Sequence, residues 1–204
     1  MPNVLFYVAD STVALEDLTT YTEVDQNGDI TMTSSKADYV SLDRNAISYV
    51  YKDFGVGNFS NFDIDFEFYI DQGAPQGVAV LCALSNTIGT LQDMITANDG
   101  LQVFAYNNTN NLAISIRDWS GAGADDYIVG GGTTGGVYYS TFSRSGTTLT
   151  LTMYSDANRT AVIGTMPITC ETTAKRYLHV LASRDAADFG GDAITGYTQN
   201  FRIN

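Results

Sequence analysis

Leu112, Ile114 and Ile116 alternate with Ala113, Ser115 and Arg117, and Leu149, Leu151 and Met153 alternate with Thr150, Thr152 and Tyr154. A period of two places successive side chains on opposite faces of an extended chain, so each segment reads as a half-buried strand. The same period runs through "DITMT", "DYVSL", "AISYVY", "LQVFAY", "YLHVLAS" and "YTQNFRI". It is clearest in "NFDIDFEFYI", residues 61–70, where Ile64, Phe66, Phe68 and Ile70 face one side and Asp63, Asp65, Glu67 and Tyr69 the other. Val78 to Leu84 is apolar throughout, as suits a strand covered on both faces. Asn27-Gly28, Asp99-Gly100 and Ser145-Gly146 supply the turn dipeptides expected of hairpins. One short helix is expected over 90–97, with Thr90 and Asp93 as a capping box. "SGAGADDYIVGGGTTGG", residues 120–136, reads as one long glycine-rich loop between strands. Many short strands at intervals of about 8–12 residues make an all-β chain, either a sandwich or a barrel.

The 204 residues are enough for one large all-β unit, so a single domain over 1–204 is expected, with a short N-terminal extension within 1–20. No apolar run approaches the roughly 18 residues of a spanning helix. "MPNVLFYVADST" lacks a basic start and has only a short apolar run from Val4 to Ala9, unlike a signal peptide. A formal charge of -13 argues against nucleic acid as a partner, because phosphate binding needs a basic face. Cys82 and Cys170 both lie in apolar, strand-like stretches without a neighbouring His or Cys, and are expected to be buried free thiols.

Few residues carry obvious chemistry. The single histidine, His179, sits inside a strand and reads as a packed ring rather than a base. "DQNGD", Asp25 to Asp29, copies the start of a calcium loop but lacks the later bidentate Glu, and reads as a hairpin turn. Asp185, Asp188 and Asp192, or else Asp125 and Asp126, are the better metal candidates, since a loop can bend several hard oxygens toward one Ca2+ ion. Trp119, followed closely by Asp125, Asp126 and Tyr127, is the candidate glycan site, pairing an aromatic face with acceptors for sugar hydroxyls.

Together, "DYVSLDRNAISYVYKDFG", "NFDIDFEFYI", "NDGLQVFAY", "SRSGTTLTLTMYSD" and "ITGYTQNFRI" resemble a laminin G-like or concanavalin A-like jelly roll over nearly the whole chain. The resemblance implies two packed antiparallel sheets, and calcium as an expected cofactor in some relatives. It also implies a comparison with laminarinase-type glycoside hydrolases, whose catalytic strand reads Glu-x-Asp-x-Glu. Asp63, Asp65 and Glu67 fall on those positions, with Asp where the nucleophilic Glu belongs. A strand rises about 3.3 Å per residue, so positions 63 and 67 lie roughly 13 Å apart, whereas a retaining pair of carboxyls converges to about 5–5.5 Å. The expectation is therefore a non-enzymatic sandwich that recognises glycans or other surfaces. A signal-less chain rich in Gly, Thr, Asn and Tyr also resembles proteins that phages and viruses display. That comparison implies capsid or fibre partners, homo-oligomers and a virion or cell-surface location reached by assembly, or else the cytoplasm.

Overall fold

The computed structural model describes residues 13–71, 77–108, 111–120, 125–185 and 193–204. The alternating segments become strands β1 (Thr22–Asp25), β2 (Ile30–Met32), β3 (Lys36–Leu42), β4 (Ser48–Asp53), β5 (Phe62–Ile70), β6 (Val78–Ser85) and β7 (Leu101–Asn108). They continue as β8 (Asn111–Asp118), β9 (Asp125–Thr133), β10 (Val137–Ser145), β11 (Thr148–Tyr154), β12 (Val162–Thr169), β13 (Tyr177–Ala182) and β14 (Ile194–Ile203). The first sheet runs β1-β4-β13-β6-β7-β8-β9 and the second β12-β11-β10-β5-β14-β3-β2. This is an all-β, two-sheet antiparallel sandwich.

Alternation sets which side of each strand is buried. Phe62, Ile64, Phe66, Phe68 and Ile70 of β5 are at most 4% exposed, and the Phe66 ring stacks on Phe201 of β14 at 5.4 Å. β6 is buried along its whole length. One side of it joins the main core through Ala79, Leu81, Cys82 and Leu84. Val78, Val80 and Ala83 join a smaller cluster under helix α1 (Leu91–Thr96). The expected capping box starts that helix: Thr90 Oγ1 accepts from the Asp93 N–H, and Asp93 Oδ2 accepts from the Thr90 N–H at 2.8 Å. Cys82 and Cys170 are both buried and unpaired. Residues 1–12 lie outside the described residues. Within the expected N-terminal extension, Leu18 is fully buried, and the Glu16 N–H donates to the Phe201 carbonyl at 2.8 Å.

Three sequence expectations need correction. Residues 120–136 are not one long loop, because β9 pairs with β8 from Asp125↔Arg117 to Thr133↔Asn111. Backbone ladders need no side-chain alternation, so a glycine-rich edge strand leaves no periodic signal. Asn27-Gly28 does not close a hairpin either: β1 belongs to the first sheet and β2 to the second, so the turn carries the chain between layers. Its acids serve that crossing, with Asp25 Oδ2 accepting from the Ile30 N–H at 2.8 Å and Asp25 Oδ1 from the Ser48 hydroxyl at 3.1 Å. Asp99-Gly100 connects α1 to β7 rather than two strands. Ser145-Gly146 does lie in a hairpin, between β10 and β11.

Two buried cations clamp the layers where the chain crosses from β12 to β13. Arg144 of β10, 2% exposed, donates through Nε to the Ser60 carbonyl at 2.6 Å, through Nη2 to Phe59 at 2.5 Å and through Nη1 to Thr173 at 3.0 Å. Lys175 Nζ, equally enclosed, reaches Asp99 Oδ1 at 2.5 Å and Glu171 Oε1. Asp118 anchors the same crossing by accepting from the Glu171 N–H at 2.7 Å. Arg144→Met keeps the apolar stem and strands several buried carbonyls. It should cost about 3 kcal/mol in urea unfolding, against under about 1 kcal/mol for Lys36→Met, which removes only a part-exposed ion pair with Asp38.

Candidate functional site

The pairing register turns the scattered polar residues of six strands into one surface. On the outer face of the second sheet, Lys36, Gln199, Glu67, Tyr139 and Tyr154 stand directly opposite one another in a row across β3, β14, β5, β10 and β11. The next row holds Arg202, Asp65, Thr141, Thr152 and Thr165. Above them, Tyr69 and Tyr197 are cross-strand partners with rings stacked at 5.3 Å and an interplanar angle of 15°. Gly196 makes that stack accessible to β14, since a Cβ at this position would meet the Tyr69 carbonyl oxygen at 2.1 Å.

The polar groups between the rings are held in fixed orientations. Gln199 Nε2 donates to Glu67 Oε2 at 2.8 Å, and the Thr141 hydroxyl donates to Asp65 Oδ1 at 2.6 Å. Burial pushes the Tyr197 phenol up from its ordinary pKa, with Glu67, Tyr139, Tyr69 and Asp38 adding to the shift. Burial raises Tyr69 as well, reinforced by its hydrogen bond to Asp71 at 3.2 Å. Both phenols therefore stay protonated near neutral pH, with the Tyr69 O–H donated to Asp71. At the lower end of β5 the face runs into a recess of about 320 Å³ bordered by Asn61, Asp63, Ser143, Ser145 and Asn204.

The loop from β11 to β12 adds a cation. Asp156 Oδ1 accepts from the N–H groups of Thr160 at 3.0 Å and Ala161 at 2.6 Å, which fixes the loop. Arg159 takes a left-handed backbone conformation there, φ 55°, and its Nε lies 3.5 Å from Asp65 Oδ1.

The residues singled out in the sequence fall elsewhere. Trp119 is half-buried in the smaller cluster on the outer side of the first sheet, beside Phe104, Tyr106 and Tyr49. Its Nε1–H donates to Gln102 Oε1 at 2.8 Å, and the Arg117 guanidinium lies 3.7 Å from the ring centroid. The indole thus has a packing partner on its face, as the Tyr197 ring has Lys36 Nζ 4.8 Å from its centroid. Asp125, Asp126 and Tyr127 occupy β9 opposite Arg117, Ile116 and Ser115, on the opposite sheet from the tyrosine rows. Asp185 has φ 52° and donates its N–H to the Arg44 carbonyl at 2.7 Å. Asp188 and Asp192 lie outside the described residues. Among the described residues, no three His, Cys, Asp or Glu side chains gather as a metal group. The tyrosine rows escape a reading along the chain because their members come from four strands. The signal that finds them is the outward half of each alternation, read together with the strand order.

His179 is fully buried on β13, stacked against Tyr51 at 5.8 Å, with neither ring nitrogen hydrogen-bonded among the described residues. Burial drives its pKa down to about 3 against the opposing pull of Asp99, so the ring is neutral and unsuited to base catalysis at ordinary pH.

No protein-family model matches the chain, and no curated protein sequence matches it. Solved structures do share its architecture. The exoplasmic/lumenal domain of VIP36 in a Ca2+/Man2-bound form superposes with a TM-score of 0.58 at 12% identity, covering 91% of this chain and 86% of that one. The carbohydrate-binding module CBM66 from Bacillus subtilis gives 0.51 at 12% identity, over 93% and 98%. An alginate lyase from Alteromonas sp. 272 gives 0.53 at 11% identity, over 91% and 94%. The fold is that of a concanavalin A-like jelly roll.

The buried ring makes stability depend on acid. The unfolded His179 takes a proton near pH 6.5 while the folded one stays neutral to about pH 3, so stability is full above pH 6.5 and falls as pH drops through that window. In His179→Leu this component is absent. The wild-type advantage over the variant should shrink by about 2 kcal/mol between pH 7 and pH 5 in paired denaturant melts.

Proposed function

We propose that the protein is a non-catalytic carbohydrate-binding sandwich that lays a glycan across the outer face of the second sheet. The observation that carries this reading is the stacked Tyr69–Tyr197 pair beside the Glu67–Gln199 and Asp65–Thr141 hydrogen bonds. A sugar ring offers an apolar C–H face and a rim of hydroxyls, and aromatic rings next to oriented acceptors and amides complement both. Kinship of fold with a mannose-bound lumenal domain and with a carbohydrate-binding module is consistent with this use of the scaffold. A glycan on this face rests on side chains alone, so its binding is independent of calcium.

The alternative, a hydrolase working through Asp63, Asp65 and Glu67, has less support. Asp65 and Glu67 are occupied by Thr141 and Gln199, and Asp63 and Glu67 stand about 13 Å apart along β5. The carboxylates suit hydroxyl recognition better than a converging acid pair.

Titration calorimetry against oligosaccharides, with calcium and with chelator, tests the proposal. Tyr197→Ala should weaken binding about tenfold, Trp119→Phe should leave it within about twofold, and chelator should not change it. Equal affinity in Tyr197→Ala, or release of reducing ends that stops in Glu67→Gln, would overturn it.

A further inference from the structure

The guanidinium of Arg159 is incomplete. Its Nε and Nη2 are shielded from water, yet neither has a hydrogen-bond partner among the described residues. The nearest carboxylate oxygen, Asp65 Oδ1, stands 3.5 Å from Nε and is already held at 2.6 Å by the Thr141 hydroxyl. Elsewhere in this protein the same edge is closed: Arg176 grips Asp53 with Nε at 2.8 Å and Nη2 at 2.6 Å, two parallel bonds to one carboxylate. That fork is the arrangement in which an arginine binds a carboxylate most strongly. A shielded donor edge without an acceptor is costly, and the Asp156-braced loop gives Arg159 little freedom to turn away.

Resting on the glycan-binding reading of the same face, we infer that Arg159 is the receptor for a sugar carboxylate, and that the natural ligand is a uronic-acid-containing glycan. Asp65 is the resident competitor: a ligand carboxylate takes the Nε–Nη2 edge by displacing the Asp65 oxygen, which keeps its bond from Thr141. Tyr69 and Tyr197, about 13 Å further along β5 than Asp65, carry a sugar further along the same glycan, and Gln199 with Glu67 reads hydroxyls between the two.

The test compares oligouronates, of galacturonate, glucuronate and mannuronate, with their methyl esters, which keep the sugar and lose the charge. The intact protein should bind one acid at least tenfold more tightly than its ester, and the difference should narrow as salt is raised. Arg159→Gln should abolish the preference, Arg159→Lys should retain part of it, and Asp65→Asn should bind the acid severalfold more tightly than wild type. Thermal melts of each variant confirm folding. If acid and ester bind equally, with Tyr197→Ala weakening both, the inference fails while the glycan-binding face stands. If Asp65→Asn weakens acid binding as much as Arg159→Gln does, the two residues form an internal ion pair and the receptor role is wrong. Equal capture of oligoglutamate would replace the sugar with an acidic peptide, and absence of binding by every glycan would sink the inference and the underlying reading together.

Discussion

Burial of one side of β5 fixes everything around it. Its five inward side chains, from Phe62 to Ile70, fill the middle of the core, and Phe66 stacks on Phe201 while Phe62 packs at 5.3 Å from Phe142. A one-residue slip would place five large apolar groups in water and four polar ones in the core, so the register has a single acceptable value. Once it is set, Asp63, Asp65, Glu67 and Tyr69 must point outward. The pairings of β10 and β14 to β5 then bring Tyr139, Thr141, Tyr197 and Gln199 beside them. The polar, tyrosine-bearing outer face is a by-product of the constraint that makes the core.

Charge is distributed along the same division. The chain carries a formal charge of -13, yet two of its few cations, Arg144 and Lys175, are enclosed where the β12–β13 crossing must be tied to both sheets. Multivalent donors suit that task, because a crossing segment leaves carbonyls that no ladder satisfies. Arg159 is spent differently. It lies over the polar face beside a carboxylate that does not complete it, and this contrast with Arg176 sets the outer face apart from a merely solvated sheet surface.

Much of the architecture was legible because alternation is a local signal. β5, β8 and β11 follow from their period, β6 from its continuous apolar run, and α1 from Thr90 and Asp93. β9 was not, since a run containing Gly130, Gly131 and Gly132 has no side chains to alternate. The layer change at Asn27-Gly28 was equally hidden, because turn chemistry is the same whether the next strand pairs with the last or joins the other sheet. The candidate site was legible only in part. The carboxylates of β5 stood out in one stretch, whereas Tyr139, Tyr154, Arg159 and Tyr197 become neighbours only through strand order. Trp119 drew attention as the sole tryptophan, but Gln102 and Arg117 engage it in packing.

The most direct test of the central claim, that recognition uses the outer face of the second sheet, is an amide chemical-shift map of the isotope-labelled protein titrated with a binding oligosaccharide. A glycan laid on that face should perturb only β5, β10, β11, β14 and the 155–161 loop, with Trp119 and β9 unmoved. Perturbations centred on Trp119 and Asp125–Tyr127, with the tyrosine rows silent, would contradict it.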